Sequence, residues 1–210
     1  KVPHGLDAAP DMIIMKNFSD TGPGWYVYHT SVGTSNYLRL EGNAAATSES
    51  NYVWNGTAPD ANLFTLGGGS AYVNDSGKNH IAYCFKRTPG LIGIGQFEGR
   101  NDADGAYVVV DDGASGFKPS WLMIKSIDNT RYWVIHDVAR EQYNPVTKRL
   151  HPNTNETESV AGDGPIDFTA NGFKIRTTST HSGGGAETYV YMACADTAFG
   201  GSGVTQARAR

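Results

Sequence analysis

The sequence APDMIIMKN, residues 9–17, places a short apolar run between a proline and a lysine, and KPSWLMIKS, residues 118–126, repeats the pattern. A continuous apolar run bounded by Pro and by Asn or Ser is typical of a strand that is covered on both faces. The two runs begin 109 positions apart, at Met12 and Trp121. This repetition predicts that the chain contains two copies of one β unit.

Three further pairs of blocks recur in the same order. The block WYVYH at 25–29 matches YWVIH at 132–136, YLRLEGN at 37–43 matches TKRLHPN at 147–153, and HIAYCF at 80–85 matches VYMACA at 190–195. The offset drifts only in stretches rich in Gly, Asn and Asp, where loops absorb insertions. We therefore predict a duplicated unit of roughly 100 residues.

The same alignment places the two cysteines at equivalent positions. Cys84 and Cys194 fall at the same position of the HIAYCF and VYMACA blocks. Each is expected to be a small buried hydrophobe in the core of its own copy. We therefore expect both thiols to be reduced and too far apart to form a disulfide.

Composition favours strands over helices. The chain has 26 glycines, and Tyr and Trp together number 15 of its 210 residues. Many short apolar or alternating segments separated by Gly-, Asn- and Asp-rich turns predict an all-β, antiparallel β-sandwich or jelly-roll fold with two tandem pseudo-equivalent repeats. The one helix-like stretch, HDVAREQY at 136–143, is expected to form one turn or two.

The repeat also predicts the domain boundaries. Residues 1–90 are expected to form a first β repeat that is incomplete at its N-terminus, residues 91–199 a second repeat, and residues 200–210 a C-terminal tail. Two predicted strands, at 91–98 and 106–111, precede WLMI in the second repeat, but their counterparts in the first would fall before Lys1 or at its very edge. We therefore expect the sheet edge beside residues 12–16 to be completed by upstream residues, by a neighbouring subunit or by the second repeat.

Charge and hydropathy exclude several partner classes. The net charge is −4, so neither a basic nucleic-acid patch nor an electrostatic membrane site is indicated. No apolar run approaches the roughly 20 residues that span a bilayer. The expected partners therefore include no nucleic acid, and no membrane insertion is expected.

The motifs of common enzyme classes are missing from the sequence. The chain has only seven glutamates, and GGSGV near Ser202 and GLIGIG at 90–95 miss the spacing of a hydrolase elbow and a dinucleotide loop. The six histidines form no metal-ligand pair, and NDADG at 101–105 and VDDGASG at 110–116 lack the full calcium-loop spacing. We therefore predict a protein that is not an enzyme and has no cofactor or metal, although weak calcium binding stays open.

Aromatic residues and histidines provide the candidate contact sites. These are Trp25, Tyr26 and His29 in the first copy, and Tyr132, Trp133 and His136 in the second. Adjacent strand residues face opposite sides, so one aromatic of each pair should be core and the other free to stack on a sugar. Each histidine is either a ligand contact or a strand-end imidazole bonded to a backbone carbonyl.

Several stretches resemble repeats of tailed-phage virion proteins of the marine and cyanophage type, including tail fibres. These stretches are HGLDAAPDMIIMKN, WYVYHTSVG, VWNGTAP, VNDSGKNHIAYCF and TANGFKIRTT, together with GFKPSWLMIK followed by YNPV. The ending GVTQARAR is also similar to the natural C-terminus of such proteins. The resemblance implies a structural protein exposed on the virion, a tail, fibre or head-decoration subunit that assembles with itself and with other virion proteins. A lectin-like module that binds host-surface glycan is the alternative.

Overall fold

The computed structural model describes residues 1–22, 24–48, 51–68, 73–158 and 164–196, and no helix occurs among them. The chain divides into two compact units, Lys1–Lys86 and Arg87–Arg210, a few residues before the predicted boundary at 90. The predicted tail at 200–210 lies outside the described residues. The all-β antiparallel prediction is confirmed, because every strand pairing in the described part of the chain is antiparallel.

The strands are numbered in chain order. The first unit contains β1 (Val2–Pro3), β2 (Met12–Asn17), β3 (Trp25–His29), β4 (Asn36–Arg39), β5 (Thr47–Ser48), β6 (Leu63–Phe64) and β7 (His80–Phe85). The second contains β8 (Ile92–Glu98), β9 (Tyr107–Val109), β10 (Pro119–Ser126), β11 (Val134–Asp137), β12 (Ile166–Thr169), β13 (Gly172–Ile175) and β14 (Thr188–Ala195). The helix-like stretch after β11 is a turn at 138–140.

The first unit is built on one five-stranded sheet in the order β5-β4-β3-β2-β7, with β1 and β6 forming a separate two-stranded ribbon. The pleat sends alternate residues to opposite faces, so Ile13 and Met15 of β2 face one core together with Tyr26 and Tyr28 of β3. Among the described residues of this unit, no second large sheet covers this face. The cover comes from β6 and from the segment between β5 and β7, which contributes Val53, Trp54, Phe64 and Val73 to the core.

The second unit is a sandwich of two sheets. One has the order β11-β10-β14-β8 and the other the order β12-β13-β9. Their inner faces meet in a single core, to which the first sheet contributes Leu122, Ile124 and Tyr191 and the second contributes Phe168 and Phe173.

Three strands of each unit pair in the same way. The order β3-β2-β7 in the first unit corresponds to β11-β10-β14 in the second. The flanking strands differ, since β4 and β5 continue the first sheet beyond β3, whereas β8 continues the second sheet beyond β14. The shared pattern covers these three strands, and equivalence of the two whole units stays a prediction.

The register corrects the sequence alignment by one residue at two strands. Ile13 pairs with Cys84 and Tyr28, whereas Leu122, at the matching core position, pairs with Ala193 and His136. The equivalence of Cys84 with Cys194, and of His29 with His136, is therefore wrong, because a one-residue slip moves a side chain to the other face. Both cysteines are free thiols.

The prediction that a strand from outside the first repeat completes the sheet beside residues 12–16 is also wrong. Strand β2 has a partner on each side, β3 and β7. The open edge of this sheet lies one strand further out, at β7, which pairs with β2 alone among the described strands. In the second unit, the corresponding outer edge of β14 is covered by β8.

Candidate functional site

Four of the six candidate contact residues are buried. Tyr26 and His29 of β3, Trp133, and His136 of β11 are each at most 3% exposed. Their side chains therefore present almost no surface to a ligand. Trp25 and Tyr132 are half-buried and are the two members of the set with accessible surface. One aromatic of each pair is thus buried and the other half-buried, and the half-buried rings of Trp25 and Tyr132 do not occupy matching register positions. Contact of either ring with a ligand stays a prediction.

Trp25 lies in an open groove on the face of the first unit's sheet that is turned away from the core of Ile13 and Met15. The groove has a volume of about 630 Å³. Its lining residues are Lys16, Phe18, Asp20, Thr21, Trp25, Ile81 and Tyr83. Three of these are large exposed apolar side chains: Phe18, Tyr83 and Ile81 are 61%, 45% and 38% exposed. An apolar cluster of this kind on a surface is characteristic of an interaction site.

Strand register brings these side chains together. Lys16 pairs with Trp25 on β3 and with Ile81 on β7, so the three side chains lie side by side on one face of the sheet. Tyr83 follows on the same face of β7, because it lies two residues beyond Ile81. Sequence reasoning identified Trp25 but missed Ile81 and Tyr83. Residues 81–85 lack the alternation of apolar and polar residues that indicates a strand with one exposed face, so no local signal marked these two side chains.

A short polar turn closes one end of the groove. Asn17 Nδ2 donates to Asp20 Oδ2 over 3.2 Å, and the backbone N–H of Ser19 donates to Asn17 Oδ1 over 2.9 Å. The Lys16 ammonium donates to the carbonyl oxygens of Asn17 and Asp20. Lys78 Nζ bonds Asp20 Oδ1 over 2.9 Å, and this bond lowers the pKa of the Asp20 carboxyl group. The groove therefore combines an apolar floor with a fixed, charged rim.

Glu41 holds the backbone where β3 begins. The Trp25 N–H donates to Glu41 Oε2 over 2.8 Å, and Glu41 also forms an ion pair with Arg39. A Cβ atom on Gly24 would lie 1.9 Å from Glu41 Oε1, so only glycine leaves room for this carboxylate. The Arg39 guanidinium lies 5.7 Å from the centre of the Tyr26 ring, within the range of a cation–π contact.

Tyr132 belongs to a different environment in the second unit. Its ring stacks on His181 with centroids 4.9 Å apart, and its N–H donates to His181 Nδ1 over 3.1 Å. His151 Nδ1 lies 2.8 Å from the Trp133 carbonyl oxygen. Burial lowers the pKa of His181, and the nearby positive charge of Arg131 adds to the effect. These contacts fix the start of β11 and leave Tyr132 little freedom to meet a ligand.

The two candidate histidines make backbone contacts within the fold. His29 Nδ1 accepts the N–H of Ser31 over 3.1 Å. His136 Nδ1 lies 3.2 Å from the Lys148 carbonyl oxygen, so this nitrogen carries the proton that it donates. Complete burial lowers the pKa of His136 to about 3, which keeps the ring neutral at physiological pH. His136 therefore matches the structural alternative, an imidazole bonded to a carbonyl.

The acidic segment at 110–116 forms a turn. Asp112 accepts backbone N–H groups from Gly90, Ala114 and Gly116 at 2.9, 2.8 and 3.1 Å. The pKa of its carboxyl group is lowered, since these hydrogen bonds outweigh the effect of burial. Within the described ranges, no three His, Cys, Asp or Glu side chains cluster closely enough to hold a metal ion.

Comparison with known proteins gives one match. A family model described as a domain of unknown function, DUF7483, covers residues 1–198. No curated protein and no solved structure matches the chain. In the described part of the chain, no helix is long and apolar enough to cross a membrane.

Proposed function

We propose that this chain, which belongs to the DUF7483 family of domains of unknown function, is a non-enzymatic structural protein of a tailed-phage virion. In this proposal it is a tail, fibre or head-decoration subunit on the particle surface. It assembles there with copies of itself and with other virion proteins. The resemblance of its strand and turn segments to virion repeats supports the proposal.

The observation that carries an assembly role is the uncovered apolar groove of the first unit. Ile81 and Tyr83 of β7, and the neighbouring Phe18, expose large apolar side chains. The outer edge of β7 has no partner among the described strands. Burying apolar surface gains roughly 25 cal/mol per Å², and an open strand edge offers main-chain pairing in addition. Both features favour contact with protein over chemistry on a small substrate.

A lectin-like role is the second candidate, because the same groove contains Trp25 and Tyr83 beside Asp20 and Lys16. Aromatic rings that stack on the apolar face of a sugar, with polar groups at the rim, are the usual elements of a glycan site. In this alternative, the groove binds glycan on the host surface.

One pair of measurements tests the two roles on the purified chain. We expect native mass spectrometry to show oligomers of the wild-type chain, and Tyr83→Glu to reduce them while keeping the melting temperature. The matched control is Tyr143→Glu, because Tyr143 is another strongly exposed tyrosine outside the groove. A chain that is monomeric at every concentration, and whose tryptophan fluorescence responds to bacterial-surface glycans but loses that response in Trp25→Phe, would contradict the assembly role and favour the lectin. Antibodies against the chain should label purified phage particles, and a failure to do so would contradict the virion location.

A further inference from the structure

We propose that the outer edge of β7 is the acceptor for an extended strand of a different protein, not of a second copy of this chain, and that this strand pairs antiparallel to β7 as β8 pairs to β14. This inference deepens the proposed assembly role and rests on it for the class of partner. The incoming strand carries apolar residues at alternate positions and an acidic residue near its C-terminal end.

The main-chain N–H and C=O groups of β7 alternate between the two sides of the strand in the same way as those of β14. The N–H of Phe18 bonds the Asn79 carbonyl, so in the antiparallel register of β2 and β7 the main-chain groups of Ile81 and Tyr83 point toward β2. The N–H and C=O groups of Ala82 and Cys84 therefore point outward from the sheet. A buried or half-buried edge with such groups is a template for another strand.

The second unit shows what fills the equivalent position. With Ile13 matched to Leu122, Ala82 and Cys84 correspond to Tyr191 and Ala193. These two residues pair with Gly95 and Gly93 of β8. The N–H of Gly99 bonds the Glu187 carbonyl over 2.9 Å, so odd-numbered residues of β8 carry the main-chain bonds to β14. The outward-pointing main-chain groups that β8 pairs with in the second unit are thus also present on β7, where no described strand pairs with them.

The burial of side chains also supports a partner strand at the outer edge of β7. Ile81 and Tyr83 are 38% and 45% exposed, whereas Val190 and Met192 at the matching positions of β14 are 1% and 6% exposed. Val190 and Met192 pair with Gln96 and Ile94 of β8, and Ile94 is itself fully buried. An incoming strand with an apolar residue at the position of Ile94 would lie beside Tyr83 and cover part of the groove.

Charge at the end of β7 fixes the orientation of the partner. Glu98 of β8 pairs with Thr188, which corresponds to Asn79 at the start of β7. Lys78 precedes Asn79 directly, and its ammonium group lies 2.9 Å from Asp20. An antiparallel strand that ends in a carboxylate at this point would add a second anion next to the Lys78 charge, which stabilises this orientation over the reverse one.

The probe for the acceptor edge is a fluorescent peptide with the sequence of residues 90–99, GLIGIGQFEG, measured by anisotropy against the full 210-residue chain. We expect the wild-type chain to bind the peptide. Ala82→Pro should weaken binding at least tenfold, because it removes an outward N–H at a position where an edge strand tolerates proline. The matched control Ala82→Ser changes the same side chain, keeps the N–H and should bind as the wild type does.

A second experiment changes the peptide and leaves the protein unchanged. The same peptide with N-methyl groups on the glycines equivalent to Gly93 and Gly95 lacks the pairing donors and should lose binding to the wild-type chain. Equal binding of the plain and methylated peptides, or no binding of either, would overturn the proposal. A wild-type dimer that Ala82→Pro dissociates, without peptide binding, would also overturn it and assign the edge to a second copy. If the wild-type chain forms oligomers but does not bind the peptide, the acceptor proposal fails and the assembly role stands. If the chain binds the peptide but antibodies do not find it on virions, only the proposed virion location is contradicted.

Discussion

Lys16 and Lys125 make the same hydrogen bond in the two units. Each lysine precedes the last residue of a central strand, and each ammonium group donates to the carbonyl oxygen of the next residue, Asn17 or Ser126. The two positions are 109 residues apart, the offset of the apolar runs that precede them. A matched side-chain contact at matched register is a stronger sign of correspondence than sequence similarity, since it depends on the local backbone as well.

Lys125 differs from a surface lysine because it is completely buried. Burial lowers its pKa to about 8, although the nearby Glu187 carboxylate opposes the shift. Between about pH 8 and about pH 10.5 the unfolded chain holds a proton that the folded chain has released. Raising the pH through this window therefore increases stability, by about 3 kcal/mol for a shift of this size.

We expect Lys125→Met to abolish this rise. Denaturant unfolding at pH 8 and pH 10 measures it, and the difference between wild type and variant cancels titrations that the two proteins share. A constant offset between their stabilities over this range would mean that the folded-state pKa of Lys125 is not lowered.

The second prediction concerns acid stability. The pKa of His136 is about 3 in the folded chain because of burial, against about 6.5 in the unfolded chain. As the pH falls below about 6.5, the unfolded chain takes up a proton that the folded chain refuses, and stability is lost until about pH 3. Between pH 7 and pH 4, the free energy of unfolding of His136→Leu should fall by about 3 kcal/mol less than that of the wild type. Thermal melts across this range would show parallel curves for both proteins if the prediction were wrong.

The sequence identified the strands that the two units share but not their exact register. Apolar runs and turn residues located β2, β7, β10 and β14, because these signals depend on composition within a short window. The match of His29 with His136 was wrong by one residue. By sequence, WYVYH and YWVIH align so that Tyr26 matches Trp133, whereas strand pairing places Tyr26 opposite Met15 and Val134 opposite the corresponding Ile124. A slip of one residue changes similarity scores little and reverses the face of every side chain.

The candidate site was harder to predict for a related reason. Trp25 was found because aromatic residues are conspicuous in any sequence. The groove around it depends on β7 lying at the edge of the sheet, which is a property of strand order. Strand order depends on contacts between distant segments, and no local pattern in HIAYCF reports it.

The third prediction concerns the glycines of β8. A Cβ atom on Gly95 would lie 2.8 Å from Tyr191 Oη and 3.0 Å from Cζ. The ring cannot easily retreat, because Tyr191 Oη accepts the N–H of Asp111 over 2.8 Å. Gly95→Ala should therefore destabilise the chain by about 1–3 kcal/mol. Gly22→Ala is the control, because the space around Gly22 is open.

A double-mutant cycle identifies the cause of that loss. If the clash with Tyr191 is responsible, Gly95→Ala should cost less when it is combined with Tyr191→Ala than when it is made alone. Additive effects of the two substitutions would show that the clash is not what destabilises Gly95→Ala.

The last prediction compares two tryptophans at matching register positions. Lys16 pairs with Trp25, and the register of β10 with β11, continued by one residue, places Trp133 opposite Lys125. Trp25 lines the open groove, whereas Trp133 is 1% exposed. Removing a buried tryptophan leaves a cavity, so Trp133→Ala should cost about 3–5 kcal/mol. Trp25→Ala should cost clearly less, because solvent already reaches that ring. Fluorescence separates the two rings independently of stability: Trp25→Phe should remove emission that acrylamide quenches readily, and Trp133→Phe should remove emission that it hardly reaches. Equal stability losses together with equal quenching would show that the groove is closed in solution, and both the assembly and the lectin proposals would lose the surface on which they depend.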